Sequence, residues 1–411
     1  MRISTNQIFL RGLNSMLVQQ TKTLQLQQEI SSQKKVEFPS DNPIAAAKID
    51  LMKQRIEFAE RMQQNKDAAN DALSFEESVL GNCVTVVQRL RELQVQAGNA
   101  ALSEADRMAM GEEVQNLLEQ LQGLGNTQDS NGYYFFAGSK TSTEPFTQNL
   151  SGQFVYNGDE TQRMQTISSG YEIAVNDNGA DIFMRIPSGN GQFTVGQTAV
   201  ANQGSASVTS GSVIDMTAYV ADNYTMQFAL NTQNQLVVMV SGVNSGSVIP
   251  PTGNVDDAPV YQDGATVTFN GMQVTISGSP EAGDAFAISP ATNKSVFATV
   301  AQMVVNLNSP YATSRDKAVV TTENNQLMDQ LDSALNNILA YQAQVGARLN
   351  QLDVAGQVNS DVITTSTESL GLLQDANMAE VAVKLELQRI CLQAAQQSFA
   401  RIQGLTVFNY I

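Results

Sequence analysis

Apolar residues recur every three or four positions toward both ends of this 411-residue chain, the spacing of helices with one buried face. Residues 1–128 and 296–411 are also rich in good helix formers. Ser103 is predicted to cap one of these helices. We expect the stripes within residues 44–128 and 320–355 to pack inside a helical bundle. They are Ala45, Ile49, Met52, Ile56 and Ala59; Leu73, Leu80, Cys83, Val87 and Leu90; Met110, Val114, Leu117, Leu121 and Leu124; and Leu331, Leu335, Ile338, Val345, Leu349 and Leu352.

The helices at the extreme ends carry more apolar positions than a single contact between two helices would bury. The last helix has two stripes, and the second contains Val383, Leu387, Ile390 and Ala394. Two stripes on one helix indicate contact with more than one neighbour. An isolated pair of long terminal helices is only marginally stable, because burial of these side chains offsets only part of the backbone entropy that is lost when the helices form. The predicted assembly seams are Leu10, Leu13, Leu17, Leu24, Val381, Leu385, Leu392, Phe399 and Ile402.

The middle of the chain has the composition of strands and turns. Residues 129–295 are rich in Gly, Ser, Thr, Asn, Val and Phe. The clearest hairpin is predicted around Asn270-Gly271, where apolar and polar residues alternate on both sides. Further strands are predicted at residues 133–136, 154–156, 224–230 and 236–240, with a turn signal at Asn157-Gly158 after the second.

These patterns predict an α+β multidomain protein. Both chain ends form a long antiparallel helical bundle or coiled coil, and a mostly-β domain is inserted between them. Three domains are expected. Residues 1–40 plus 366–411 form terminal coiled-coil helices, which are disordered in the monomer and ordered on assembly. Residues 41–180 plus 295–365 form a helical rod with a β-hairpin. Residues 181–294 form the inserted acidic β domain.

Composition excludes several kinds of chemistry. The formal net charge of −17 argues against nucleic-acid binding, and the absence of histidine excludes His-based catalysis and metal sites. No nucleophile–base pair is apparent, so we expect no enzyme, cofactor or metal. No apolar run is long enough to span a membrane, and no cleavable secretory signal is expected. Cys83 and Cys391 are predicted to be buried and inert, and Glu76-Glu77 to be solvated.

Four segments resemble the flagellin superfamily, and within it the proteins of the junction between hook and filament. They are Met1-Arg-Ile-Ser-Thr5, Ile30 to Pro43, Asn126 to Gly138, and the closing residues from Ala395, which end in Val407-Phe-Asn-Tyr-Ile411. The aromatic ending favours a junction protein over a flagellin. The likeness covers residues 1–140 and 315–411.

Two positions depart from the pattern of that family. Gln33 stands where the family usually has glycine, and Asn42 where it has a second aspartate. Because Gln33 lacks the freedom of glycine at positive φ, the first helix is expected to continue further than usual. Asn42 keeps the turn-forming ability of aspartate without its charge.

The resemblance implies a structural subunit that is exported without signal cleavage and becomes part of the extracellular flagellum. It implies self-assembly as a ring, contacts with a hook-side junction protein and with flagellin, and an export chaperone that binds the C-terminal helix. The terminal helices would pair and line the inner wall of the tube. No nucleic-acid or membrane partner is implied.

Two other functions remain open. The chain is alternatively a flagellin-type filament subunit, whose copies would dominate the filament. A third hypothesis is a secreted carbohydrate-binding adhesin that binds sugars through Tyr224, Phe228 and Tyr261. The competing interpretation of these three aromatic residues is the core of the β domain.

Overall fold

The computed structural model describes residues 5–99, 102–198 and 202–404, without the side chains of residues 5, 6, 8 and 402–404. Helices from both chain ends flank inserted strands, which confirms the predicted α+β class. Within the described ranges, no helix combines the length and the hydropathy needed to cross a membrane. The helices are α1 (Thr5–Ser32), α2 (Pro43–Ala97), α3 (Glu104–Gly125), α4 (Val296–Leu307), α5 (Ser314–Gln374) and α6 (Met378–Gly404).

The chain divides into two compact units. Unit 1 comprises residues 1–66, 167–170 and 353–411, and unit 2 comprises residues 67–166 and 171–352. The helices α2 and α5 each contribute residues to both units. The three-domain division proposed from the sequence stays a prediction.

Unit 1 joins the two ends of the chain. α1 packs antiparallel to α6 along most of its length. At the far end of this pair, the Lys35 amide donates to the carbonyl of Gln374 at 2.7 Å, and the Ala376 amide donates to the carbonyl of Gln33 at 2.9 Å. These two bonds tie the loop after α1 to the loop before α6.

The end of α1 differs from the expectation. The helix stops at Ser32, and Gln33 adopts φ 58°, in the left-handed region that favours glycine. The expectation of a longer helix was wrong, because the backbone bonds of residues 33–35 to residues 374–376 hold Gln33 in this conformation despite its side chain.

The helical part of unit 2 buries the stripes that the sequence shows. Leu73, Leu80 and Leu90 of α2 and Leu331 and Ile338 of α5 are fully buried. Cys83 is buried as predicted, and burial raises the pKa of its thiol to about 12.

The predicted cap of α3 is confirmed. The Ser103 hydroxyl accepts from the Asp106 amide at 3.2 Å, and the Asp106 carboxylate accepts from the Ser103 amide at 3.2 Å, which completes a capping box. Two donors at the start of α3 that the helix itself leaves unpaired are thereby satisfied.

The strands lie between α3 and α4 in the sequence. They are β1 (Phe146–Gln148), β2 (Phe154–Tyr156), β3 (Met164–Ser168), β4 (Tyr171–Ala174), β5 (Ile186–Pro187), β6 (Phe193–Gln197), β7 (Ser207–Val208), β8 (Ser212–Val213), β9 (Tyr224–Leu230), β10 (Leu236–Gly242), β11 (Gly246–Ile249), β12 (Thr266–Phe269), β13 (Met272–Ser277), β14 (Ala285–Pro290) and β15 (Asn293–Lys294). A five-stranded sheet has the order β11-β10-β9-β14-β6, and a second sheet has the order β12-β13-β7 with β8 also paired to β13.

The hairpin prediction is confirmed. β12 pairs with β13 around Asn270 (φ 43°) and Gly271 (φ 73°), the positive angles that an Asn-Gly turn supplies. β9 and β10 also pair, as the alternation predicts. The two larger sheets share one buried core, to which Phe193, Phe228 and Phe286 contribute.

Two local predictions in the segment after α3 were wrong. Residues 133–136 do not form a strand, because Phe135–Ala137 is a 3₁₀ turn whose aromatic rings lie in the core. β2 pairs backward with β1, so Asn157-Gly158 does not connect the two strands of a hairpin. The Phe135 ring packs edge-on against Phe75 at 5.5 Å and the Phe136 ring against Phe183 at 5.6 Å, and this aromatic packing outweighs the local strand signal.

Glu76 is fully buried, although the sequence placed it in a solvated pair with Glu77. Its Oε1 accepts from the Asp177 amide at 3.1 Å, and Arg348 donates twice to the Asp177 carboxylate, at 2.8 and 3.0 Å. Burial, reinforced by the negative charge of Asp177, raises the pKa of Glu76 to about 8. Glu76 is therefore a neutral acid at pH 7, and the prediction failed because Asp177 and Arg348 are distant in sequence.

We expect Gln33→Gly to raise the thermal stability of unit 1 slightly. Relief of the left-handed conformation contributes about 1 kcal/mol, partly offset by the greater entropy of the unfolded chain. Gln27→Gly, at an exposed position inside α1, should instead cost about 1 kcal/mol. Thermal melts followed by circular dichroism compare the two, and equal losses in both variants would contradict the account of this turn.

Glu76→Gln should flatten the pH dependence of stability. The folded chain keeps the Glu76 proton up to about pH 8, whereas an unfolded chain releases it near its ordinary value of 4.5. The free energy of unfolding therefore falls as the pH rises from about 4.5 to 8, by a few kcal/mol in total. Urea titrations at pH 5 and pH 8.5 should show this loss in the wild type and in Glu77→Gln. A loss of the same size in Glu76→Gln would exclude Glu76 as its source.

Candidate assembly surface

The surface of unit 1 is set by how α1 and α6 face each other. Gly12 contacts Phe399, since a Cβ at Gly12 would lie 3.0 Å from the ring, and the rings of Phe9 and Phe399 lie 5.2 Å apart. Further along, the Gln388 side chain donates to the Gln19 side chain. These contacts define an inner seam with the alternating four- and three-residue spacing of a coiled coil. Its members on α1 are Gly12, Met16, Gln19, Thr23, Leu26 and Ile30.

On α1 the predicted leucines lie outside this seam. We call Leu10, Leu13, Leu17 and Leu24 the α1 outer stripe. Their exposed fractions run from 38% to 58%. The structure thus brings these four residues together on one helix face, but it does not pack them against α6.

On α6 the predicted residues face the opposite way. Val381 is buried, and Leu385, Leu392 and Phe399 are half-buried along the inner seam. The side chain of Ile402 lies outside the described residues. The second stripe of the sequence, which we call the α6 outer stripe (Val383, Leu387 and Ile390), is 56% to 71% exposed. Contact of any of these residues with another subunit stays a prediction.

Charged side chains flank the α6 outer stripe. Glu380 and Lys384 form an ion pair at 2.6 Å, and hydrogen bonding to Lys384 lowers the pKa of Glu380 below its usual range. Glu386 pairs with Arg389 at 3.4 Å. Both pairs are exposed and contribute little to stability, so they can exchange partners. Cys391 is exposed on this helix, against the prediction that it is buried.

The apolar stripes predicted from the sequence do not include the α1 half of the inner seam. Gln19 and Thr23 are polar and Gly12 is small. The seam face of α1 therefore has a weaker apolar pattern in the sequence than the face that carries the leucine stripe. The regular spacing of Met16, Leu26 and their neighbours was the signal that could have found it.

The aromatic residues of the adhesin hypothesis are core residues. Tyr224 and Phe228 are buried, and the Tyr224 hydroxyl donates to the Val220 carbonyl at 2.8 Å. The Tyr261 hydroxyl donates to the Gly278 carbonyl at 2.7 Å, and its ring packs edge-on against Phe228 at 5.4 Å. The carbohydrate hypothesis thereby loses the residues on which it was based. In the described part of the chain, no group of three or more acidic, cysteine or histidine side chains is arranged to hold a metal ion.

Comparison with known proteins places the fold. Residues 3–141 match the family described as bacterial flagellin N-terminal helical region. Flagellar hook-associated protein 3 of Salmonella typhimurium is 24% identical over 409 residues, which cover 100% of this chain and 99% of that protein.

Two crystal structures from Legionella pneumophila are also similar. Flagellar hook-associated protein 3 has 55% identity and a TM-score of 0.78, over 79% of this chain and 98% of that one. The flagellar junction protein FlgL has 54% identity and a TM-score of 0.75, over 80% of this chain and 99% of that one.

The paired terminal helices and the flagellin-type N-terminal region define a flagellin-like structural protein. At 55% identity over almost the whole of a solved relative, the chain belongs to the flagellar hook-associated protein 3 family. Most of Met1–Thr5 and all of Val407–Ile411, which contributed to the resemblance in sequence, lie outside the described residues.

Aspartate substitutions should separate the two faces of α6 in the isolated chain. Leu392→Asp places a charge in the inner seam and should cost about 2 to 3 kcal/mol of local stability, whereas Leu387→Asp should cost less than about 1 kcal/mol. Amide hydrogen exchange of α1 measures the difference, and Gln393→Asp is the exposed control. Equal acceleration of exchange in the Leu387 and Leu392 variants would show that the two faces are assigned wrongly.

Proposed function

We propose that this chain is a structural subunit of the bacterial flagellum that joins hook to filament and polymerises through its terminal helices. Membership in the hook-associated protein 3 family supports the role, and one of the similar solved structures is a flagellar junction protein. The partners in this proposal are further copies of the chain, a hook-side junction protein and flagellin. The proposal assigns no enzymatic activity to the chain.

The observation that carries the proposal is the pair of outer stripes. Seven large apolar side chains lie in water on two helices that already use other faces to pack together. Scattered exposed apolar residues are ordinary in monomers, but periodic stripes of them mark interaction surfaces. These side chains are 38% to 71% exposed, so complete burial in an assembly would contribute about 1 kcal/mol apiece.

The same exposed surface supports two finer proposals. Before assembly, an export chaperone would cover the α6 outer stripe, since an apolar helix face invites premature association. After export the stripe becomes available to neighbouring subunits. The terminal segments 1–35 and 370–411 should then be cut by proteases in the isolated chain and protected in the assembled flagellum.

A flagellin-type filament subunit is the second candidate, because the N-terminal match is to the flagellin family. The two functions differ in where the copies lie. Gold-labelled antibody on intact flagella should mark a single spot at the hook end for a junction subunit. Labelling along the whole filament would instead establish the flagellin function.

Aspartate in an outer stripe should abolish filament attachment. Leu17→Asp and Leu387→Asp each put a charge on a surface that the assembly would bury, although the chain itself still folds. In a strain without its own copy of the gene, Leu17→Asp should still be exported. Cells that carry either variant should lack attached filaments and spread at least tenfold less in soft agar.

Ser15→Asp and Gln393→Asp are matched controls, because they add the same charge to the same helices at exposed positions outside the stripes. Both controls should support normal motility. Normal motility with Leu17→Asp and Leu387→Asp as well would refute assembly through these surfaces.

A further inference from the structure

An open groove of ≈ 680 Å³ lies in unit 1 between α2 and α5. Leu51 and Phe58 line it from α2, Val358 and Val362 line it from α5, and all four are exposed. One charge stands on each wall, Arg55 on α2 and Asp361 on α5. We call this surface the α2/α5 groove. A groove between two rows of apolar side chains is a common binding site for a third helix, whose own row of side chains packs into the groove.

The apolar residues of the α2/α5 groove have the same spacing along the helix as those of the α6 outer stripe. Leu51 and Phe58 are seven residues apart, which is two helical turns or about 10 Å. Val383 and Ile390 are also seven residues apart, with Leu387 between them. Leu387 and Val362 are both exposed, so α6 of the same chain does not fill the groove.

Charge selects the α6 outer stripe over the α1 outer stripe. Lys384 and Glu386 flank Leu387 on opposite sides of the helix, so one orientation in the groove brings Lys384 toward Asp361 and Glu386 toward Arg55. α1 cannot supply both signs, since its single acid, Glu29, lies beyond Leu24 at the end of the α1 outer stripe.

We propose that the α2/α5 groove receives the α6 outer stripe of a second copy of this chain, with Asp361 facing Lys384 and Arg55 facing Glu386. The inference rests on the proposed function, which supplies neighbouring copies. Each copy carries both an α6 outer stripe and an α2/α5 groove, and the two surfaces are different. The contact is therefore heterologous and can be repeated from one copy to the next.

Disulfide trapping between two differently marked copies tests the contact. One tagged copy carries Val362→Cys and an untagged copy carries Leu387→Cys, both with Cys391→Ser to remove the exposed native thiol. Because each copy then has one exposed cysteine, a mixed dimer can form only between chains. Oxidation of intact flagella should give the mixed dimer at least tenfold more strongly than the control pair of Val362→Cys with Gln393→Cys.

A charge exchange provides a second, independent measurement. Asp361→Lys and Lys384→Glu should each reduce filament retention under shear at least threefold, because each places like charges face to face. The double variant should recover at least half of the wild-type retention. If the loss of filament retention in the double variant equals the combined losses of the two single variants, the pairing of Asp361 with Lys384 is wrong.

The outcomes separate this inference from the proposed function. Labelling at the hook end without the mixed dimer would overturn the groove contact and leave the proposed function standing. A dimer between two Leu387→Cys copies in its place would mean that the outer stripes pair with each other. Absence of the chain from purified flagella would refute the proposed function itself.

Discussion

One antiparallel seam between the first and last helices decides which apolar side chains of unit 1 remain in water. α6 contributes large residues to it, such as Leu385, Leu392 and Phe399, whereas α1 contributes Gly12, Gln19 and Thr23. A β-carbon at Gly12 would lie 3.0 Å from the Phe399 ring, so a small residue at this position allows the two helices to approach closely. Because α1 pairs through this face, which includes small and polar residues, Leu10, Leu13, Leu17 and Leu24 remain outward and form the candidate assembly surface.

The two units are stabilised differently. Unit 2 has fully buried aromatic and aliphatic clusters and a buried Glu76–Asp177–Arg348 network. In the α1–α6 pair of unit 1, by contrast, most seam residues are only half buried. Local stability follows buried apolar contact, so the terminal pair should open more readily than the core of unit 2. This distribution agrees with the proposed assembly through the terminal helices.

Much of the fold was predictable because it follows periodicity. The helical stripes, the Ser103 cap and the Asn270-Gly271 hairpin are local patterns, and each appears in the structure. The failures share a cause in tertiary context: distant partners bury Glu76, backbone bonds hold Gln33 at positive φ, and aromatic packing places Phe135 and Phe136 in the core. For the assembly surface, the sequence identified the stripes but not which of them faces inward.

The central claim is that the outer stripes are exposed in the lone chain and covered in the flagellum. Maleimide labelling of Leu17→Cys in a Cys391→Ser background measures this directly, in the purified chain and in flagella isolated from motile cells. The account predicts rapid labelling of the purified chain and at least tenfold slower labelling in flagella. Equal rates in both states would contradict it.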